Sequence, residues 1–186
     1  MERHGQAAPD AVMGRIGQVV MLHHAGDREE ARQRLLQLWT EIGEDGDPLH
    51  RCTLAHYLAD TQDDPSDELA WDLRALTAAE ELSDGRLAEH EGTLAVRALY
   101  PSLHLNLAAD YVKLGRSDAA RAHLRLARGA VDALADDGYA HGVRAAIGRL
   151  ELTLADGGSE GSGGSGGSGG DFRGGGNWGP PPQHRP

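Results

Sequence analysis

Apolar residues recur at three- and four-residue spacing through nearly all of the chain up to Asp156, and no stretch alternates in the way a half-buried strand would. That periodicity predicts an all-α fold, and the breakers place its helices. Pro9-Asp10 opens a first helix running to about His24, and Ala25-Gly26 stops it, since glycine readily takes the left-handed conformation of a helix end. Asp27 stands where it can cap a second helix, Arg28 to about Ile42, with Ala31, Leu35, Leu38, Trp39 and Ile42 on one stripe and Glu29, Glu30, Arg32 and Arg34 outside it. Gly43 and Gly46 end that helix. A third begins at Asp47-Pro48 and runs to about Thr61; the turn from Asp63 to Ser66 starts a fourth reaching Leu82, which Ser83-Asp84-Gly85 closes. Between Arg86 and Ala98, Gly92 and the charges blur the pattern, which leaves a short helix or a partly ordered connection. Pro101 then opens a helix to Leu114, Gly115 breaks it, Ser117 to about Ala135 forms its partner, and a last helix follows Asp136-Asp137-Gly138 and ends at Ala155. The layout is three helix-turn-helix pairs plus a terminal capping helix, in one domain over 1–156.

Beyond Asp156 the character changes. Residues 157–170 read GGSEGSGGSGGSGG, a repeat with no side chain able to pack, and so a flexible tether of the engineered kind. The segment 171–186, DFRGGGNWGPPPQHRP, differs from it and reads as a tethered peptide ligand; an expression scar is the competing reading, against which stand Phe172, Trp178 and the Pro180-Pro181-Pro182 run. Three prolines favour the preformed polyproline II shape, Phe172 and Trp178 are natural anchors, and Arg173 and Arg185 complement an acidic receptor.

A single cysteine, Cys52, excludes an internal disulfide, and with no secretory or membrane-spanning run the chain reads as cytoplasmic. Acidic residues outnumber basic ones 29 to 18, and a net charge of −11 opposes a phosphate backbone, so neither nucleic acid nor a membrane is an expected partner. Lys113 is the only lysine, a bias that points to a GC-rich bacterial gene. Dinucleotide, Walker, nucleophile-elbow and HExxH signatures are missing, so no catalysis and no cofactor is expected. Cys52 and His56 lie four apart on one helix face and could meet His23 and His24, but that spacing is not a known zinc pattern. The histidines read as solvated or packing residues, with His90, His123 and His141 on helix exteriors. Trp39, Trp71 and Tyr111 fit core positions, while Glu44-Asp45 and Asp136-Asp137 read as solvated runs.

From Leu105 to Ala127 the chain places Leu107, Ala108, Tyr111 and Gly115 before Ala120, Leu124 and Ala127. This alternation of large and small residues around a turn glycine closely resembles a tetratricopeptide repeat. A weaker copy joins Val19, Leu22 and Gly26 to Ala31, Leu35 and Leu38, and another joins Leu54, Ala55 and Leu58 to Ala70 without the turn glycine. The resemblance implies an α-solenoid, a short right-handed superhelix in which the first helix of each pair lines a peptide-binding groove. Carried onto this chain, the groove positions are Met13, Ile16, Val20, His23 and His24; Leu49, Cys52, Thr53, His56, Ala59 and Asp60; and Ser102, Leu105, Asn106, Ala109, Val112 and Lys113. Asn106 stands where the family often bonds a peptide backbone, against the simpler reading of a solvated surface amide. Lys113 alone does not make the carboxylate clamp that some members use.

The expected function is therefore a non-catalytic adaptor that recognises a linear Trp/Pro-containing segment of a partner protein. A bacterial peptide-signal sensor is the alternative on the same scaffold, and a metal-handling accessory protein using the groove histidines and Cys52 is a third.

Overall fold

The computed structural model of the protein describes residues 7–85 and 90–159. Among them are seven α-helices and no strand: α1 (Ala7–His24), α2 (Arg28–Ile42), α3 (Pro48–Asp60), α4 (Pro65–Gly85), α5 (His90–Lys113), α6 (Ser117–Asp132) and α7 (Gly138–Ser159). The all-α expectation holds. None of these helices is long and apolar enough to cross a membrane. The chain divides into two compact units, Met1–Val96 and Arg97–Pro186.

In the first unit, α1 pairs with α2 and α3 with α4, and α3 also packs on α1 and α2. Ile16, Val19, Ala31, Leu35, Leu38, Leu54 and Leu58 form the core, flanked by Trp39 and Trp71, whose rings meet edge-on at 5.1 Å. Such a pair contributes about 0.5–1.5 kcal/mol beyond its buried area. The central helix α3 is enclosed almost all round: His50, Cys52, Thr53, Leu54, Ala55, His56, Leu58 and Ala59 are all buried. In the second unit, Leu105 and Ala108 of α5, Ala120, Leu124, Ala127 and Val131 of α6, and Ala140, Val143, Ala146, Ile147 and Leu154 of α7 share one core. Alanines at Ala108, Ala120 and Ala127, all fully buried, let the backbones approach closely.

The turns follow the breakers. Gly26 (φ 100°) and Gly115 (φ 69°) both take the left-handed conformation, and the next amide reaches back to the same place in each repeat, Asp27 N–H to the Leu22 carbonyl at 3.3 Å and Arg116 N–H to the Tyr111 carbonyl at 2.8 Å. Asp47 caps α3 as expected, accepting from Leu49 N–H at 2.8 Å with Pro48 in the first turn. Asp27 does not: its side chain makes no capping bond, and only its carbonyl joins the ladder, accepting from Ala31 N–H at 2.9 Å.

Several boundaries differ from expectation, among them the end of α6 at Asp132 in place of about Ala135. Helix α4 continues through Gly85, and α7 runs past Ala155 into the Gly/Ser segment as far as Ser159, because a helix anchored by a buried residue, here Leu154, can extend its hydrogen-bond ladder through following glycines at modest cost. More telling, Pro101 does not open a helix but lies inside α5. A proline there removes one N–H from the ladder and crowds the carbonyl four residues back. Two hydroxyls bond to carbonyls just before it: Tyr139 of α7 donates to the Ala98 carbonyl at 2.9 Å, and Ser102 donates to the Leu99 carbonyl at 2.8 Å.

Candidate functional site

Burial divides the residues expected to line a groove. In the first unit, Met13 and Val20 are half-buried on α1 and pack against the core, whereas Ile16, only 2% exposed, belongs to the core itself. On α3, Cys52, Thr53, His56 and Ala59 are buried as well, so the expectation that they offer side-chain surface to a ligand is not met. Helix α4 packs closely along α3 and sets the buried Asp72 near His56, and α1 and α2 pack on α3 as well. Leu49 at the start of α3 remains half-buried and Asp60 at its end remains exposed.

His23 and His24 finish α1 with ring centroids 5.8 Å apart. His24 is exposed, while the His23 Nδ1 atom is buried with no hydrogen-bond partner. Burial lowers the His23 pKa below the usual imidazole value, with the Asp60 carboxylate opposing that shift. The accessible part of this unit's candidate face is therefore Met13, Val20, His23, His24, Leu49 and Asp60.

The Cys52–His56 idea fares differently. Burial, with the Asp72 carboxylate adding to it, pushes the Cys52 thiol up to about 12, so the sulfur is a protonated thiol at neutral pH and a poor ligand or nucleophile. His56 Nδ1 lies 4.0 Å from Asp72 Oδ1, a charge pairing between α3 and α4 when the imidazole is protonated. Among the described residues no group of three or more His, Cys, Asp or Glu gathers around a common point.

In the second unit, Leu105 is 5% exposed and part of the core, and Ser102 is buried with its hydroxyl bonded within α5. Asn106, Ala109 and Val112 are half-buried, and Lys113 is exposed with Nζ 3.9 Å from the buried carboxylate of Asp110. This face is narrower and less apolar than expected. The expected peptide anchors Phe172, Arg173, Trp178, Pro180, Pro181 and Pro182 lie outside the described residues.

The sequence reading missed a run of rings across α5 and α6. Tyr100 stacks on His104 (6.0 Å, 19°), His104 meets His123 (5.3 Å), His123 stacks on Tyr111 (5.4 Å, 18°), and the Arg116 guanidinium lies 5.5 Å from the Tyr111 ring centre. His123 is thus half-buried in a packed array rather than on a helix exterior, whereas His141 is exposed as expected. His90 falls outside the residues whose side chains are described. The one legible signal was the spacing of Tyr100, His104 and Tyr111 along α5, which puts all three near one face. The acidic runs are exposed but not idle: Asp137 accepts from Ala140 N–H at 2.9 Å and Asp136 pairs with Arg144 at 2.8 Å.

No curated protein and no solved structure matches the chain. Residues 12–37 and 101–125 match the tetratricopeptide repeat family, over the two stretches in which Leu22 corresponds to Tyr111, Gly26 to Gly115, Ala31 to Ala120 and Leu35 to Leu124. The weaker copy around Leu54, Ala55, Leu58 and Ala70 is not within the matched residues. The chain is therefore similar to the tetratricopeptide repeat over one matched stretch in each of its two units.

Proposed function

We propose that the protein is a non-catalytic cytoplasmic adaptor whose repeats recognise a linear Trp/Pro-containing segment of a partner, represented in this chain by the tethered residues 171–186. Repeats of this family generally mediate protein–protein interaction. The observation that carries the finer reading is the order of the C-terminal segments: a packing-free Gly/Ser run followed at once by Phe172, Trp178 and three consecutive prolines. Residues 160–170, past the end of α7, have a Gly/Ser composition from which a span of about 18 Å root-mean-square and roughly 38 Å when taut is expected, which would raise the local concentration of the tail to the order of millimolar. A ligand of modest intrinsic affinity is then held in cis.

Each unit has a face to offer such a segment. In the first, Met13, Val20 and Leu49 are half-buried apolar residues, and the exposed Asp60 carboxylate, at the other end of α3 from Leu49, complements Arg173 or Arg185. In the second, Ala109 and Val112 lie beside Asn106, whose amide suits backbone capture.

Deletion of 171–186 tests the reading by amide chemical shifts of the remaining chain. Shifts confined to one of these faces are the expected result, with restoration on adding the free peptide. In titrations of that peptide into the truncated chain, Trp178→Ala should cost ~2 kcal/mol or more and Arg185→Ala ~0 to 1. Asn106→Ala in the receptor should cost about 1 kcal/mol if the peptide docks on the second unit. Unchanged shifts on both faces after deletion would remove the cis-ligand reading.

A further inference from the structure

Within the second unit, Tyr100 and His104 of α5, His123 of α6 and then Tyr111 of α5 form a continuous strip of half-buried rings whose centres step by 6.0, 5.3 and 5.4 Å. His104 and His123 share one hydrogen bond, Nδ1 to Nδ1 at 3.0 Å. In the neutral pair this bond fixes the other two nitrogens as well: the ring that donates through Nδ1 has a lone pair on Nε2, and the ring that accepts carries its hydrogen there. Both Nε2 atoms remain in reach of solvent. The strip therefore offers one donor and one acceptor set among aromatic rings, with the Arg116 guanidinium 5.5 Å from the Tyr111 ring centre at one end. Along α6 it continues into Ala119, four residues before His123, and Leu126, three residues after it, on the same helix face; Leu126 is 53% exposed.

We propose that this strip is the docking site for the Trp178–Pro182 stretch of the chain's own tail, with the prolines laid over the rings and the two Nε2 positions serving the peptide's polar groups. This docking rests on the reading of 171–186 as a ligand held in cis, and it adds a contact surface on the second unit beside the Asn106 face: Tyr111 follows Val112 of that face in reverse by one residue, which turns it about 100° round α5. The chemistry of the two sides matches. Pro180, Pro181 and Pro182 have carbonyls but no backbone N–H, so they need donors alone, and the Nε2–H of one histidine and the Arg116 guanidinium are donors beside the rings. Trp178 has the converse need, since its indole N–H only donates, and the other Nε2 is an acceptor. Three residues in the polyproline II shape rise about 9 Å, comparable with the reach of three successive rings, and aromatic-lined surfaces are the common partners of that shape.

The place from which the tail departs favours the same surface. Near the end of α7 the Leu154 carbonyl accepts from Arg121 Nη2 at 3.2 Å, and Arg121 stands in the second turn of α6, two residues before His123. Helix α7 therefore finishes, at Ser159, at the end of the unit where α6 begins, the end that also carries Tyr111, Arg116 and His123. Residues 160–177, between the end of α7 and Trp178, have a Gly-rich composition from which a root-mean-square span of about 23 Å is expected. A strip at the tail's own end of the unit lies within that span.

The test compares aromatic and methyl NMR signals of the full chain, of the full chain carrying Pro180→Ser, Pro181→Ser and Pro182→Ser together, and of the chain lacking 171–186. All three substitutions lie outside the seven helices, so the receptor surface itself is untouched. In the wild-type chain, nuclear Overhauser contacts should join Trp178 or the prolines to Tyr100, His104, Tyr111, His123 or Leu126, and in the triple variant the ring signals of the strip should move toward their positions in the truncated chain. Ring signals that stay at wild-type positions in the triple variant overturn the proposal. Tail contacts confined to Met13, Val20 and Leu49, or to Asn106, Ala109 and Val112, overturn it too and leave the cis-ligand reading standing. No tail contact at all, with every signal the same in the three chains, overturns both. Contacts seen only between differently labelled chains assign the strip to the tail of a second copy and overturn the arrangement in cis.

Discussion

Removing a single oxygen from Tyr139 tests how firmly α7 is tied to the turn of α5 before Pro101. The Tyr139 hydroxyl donates to the Ala98 carbonyl at 2.9 Å, and burial raises its pKa, so it remains a protonated donor at any working pH. Tyr139→Phe keeps the ring and its packing against the core of the second unit, and deletes only the hydrogen bond. A typical intramolecular bond contributes 0.5–1.5 kcal/mol net, and a part-buried carbonyl that loses a donor adds to that, so the expected loss is ~1–2 kcal/mol. Residue-resolved amide hydrogen exchange is the suitable assay, because the two units need not unfold together. Amides of Ala140, Val143 and Ile147 in the second unit should exchange roughly 5- to 30-fold faster, while those of Leu54 and Leu58 in the first should be unchanged. Unchanged protection in α7, or an equal loss in both units, would refute the role given to this hydroxyl.

Gly115→Ala should destabilise the second unit by about 1 kcal/mol or slightly more in urea unfolding; an added Cβ has open space, so the cost comes from the left-handed φ of 69° alone, and a neutral result would contradict that conformation. Leu124→Ala, at a site 2% exposed, should cost ~2–5 kcal/mol, whereas Leu126→Ala one turn face away, at 53% exposure, should stay within about 0.5 kcal/mol; equal effects would put the α6 stripe in the wrong place. Acid should weaken the second unit before general carboxylate protonation sets in. His104 at about 4 and the lowered His123 take up protons more readily when unfolded, so stability is full above pH ~6.5 and falls as the pH drops from there toward 4; thermal melts should show this slope, and it should flatten in the His104→Gln/His123→Gln double variant.

Where a structural feature depended on neighbours in sequence, it was legible. Gly26 and Gly115 marked turns because few other residues take a left-handed backbone cheaply, and Asp47-Pro48 marked a helix start because side-chain capping and a missing N–H both belong there. Pro101 misled for the same reason. The local rule favours a helix start, and the interior position carries hydroxyl bonds to nearby carbonyls from Tyr139 of α7, far along the chain, and from Ser102. The candidate site was harder. Assigning groove faces assumes that the second helix of a pair covers one side of the first and leaves the other open, but α3 has helices on several sides. The sequence held little warning, since Thr53, His56, Tyr57 and Asp60 share one polar face of α3, and yet Thr53 and His56 are buried. The His104–His123 contact was illegible, because it depends on the rotational register of α5 against α6, which no single helix encodes.

The burial of Cys52 has a practical use. It is the only cysteine in the chain, it is 1% exposed, and its thiol is held protonated up to about pH 12. A thiol reagent can therefore reach it only in molecules whose α3–α4 packing has transiently parted. Under conditions where closing is faster than modification, the labelling rate divided by that of a free thiol is the equilibrium constant for this opening. The chain thus contains its own clock for motion in the first unit, readable by mass, with no dye or second cysteine introduced.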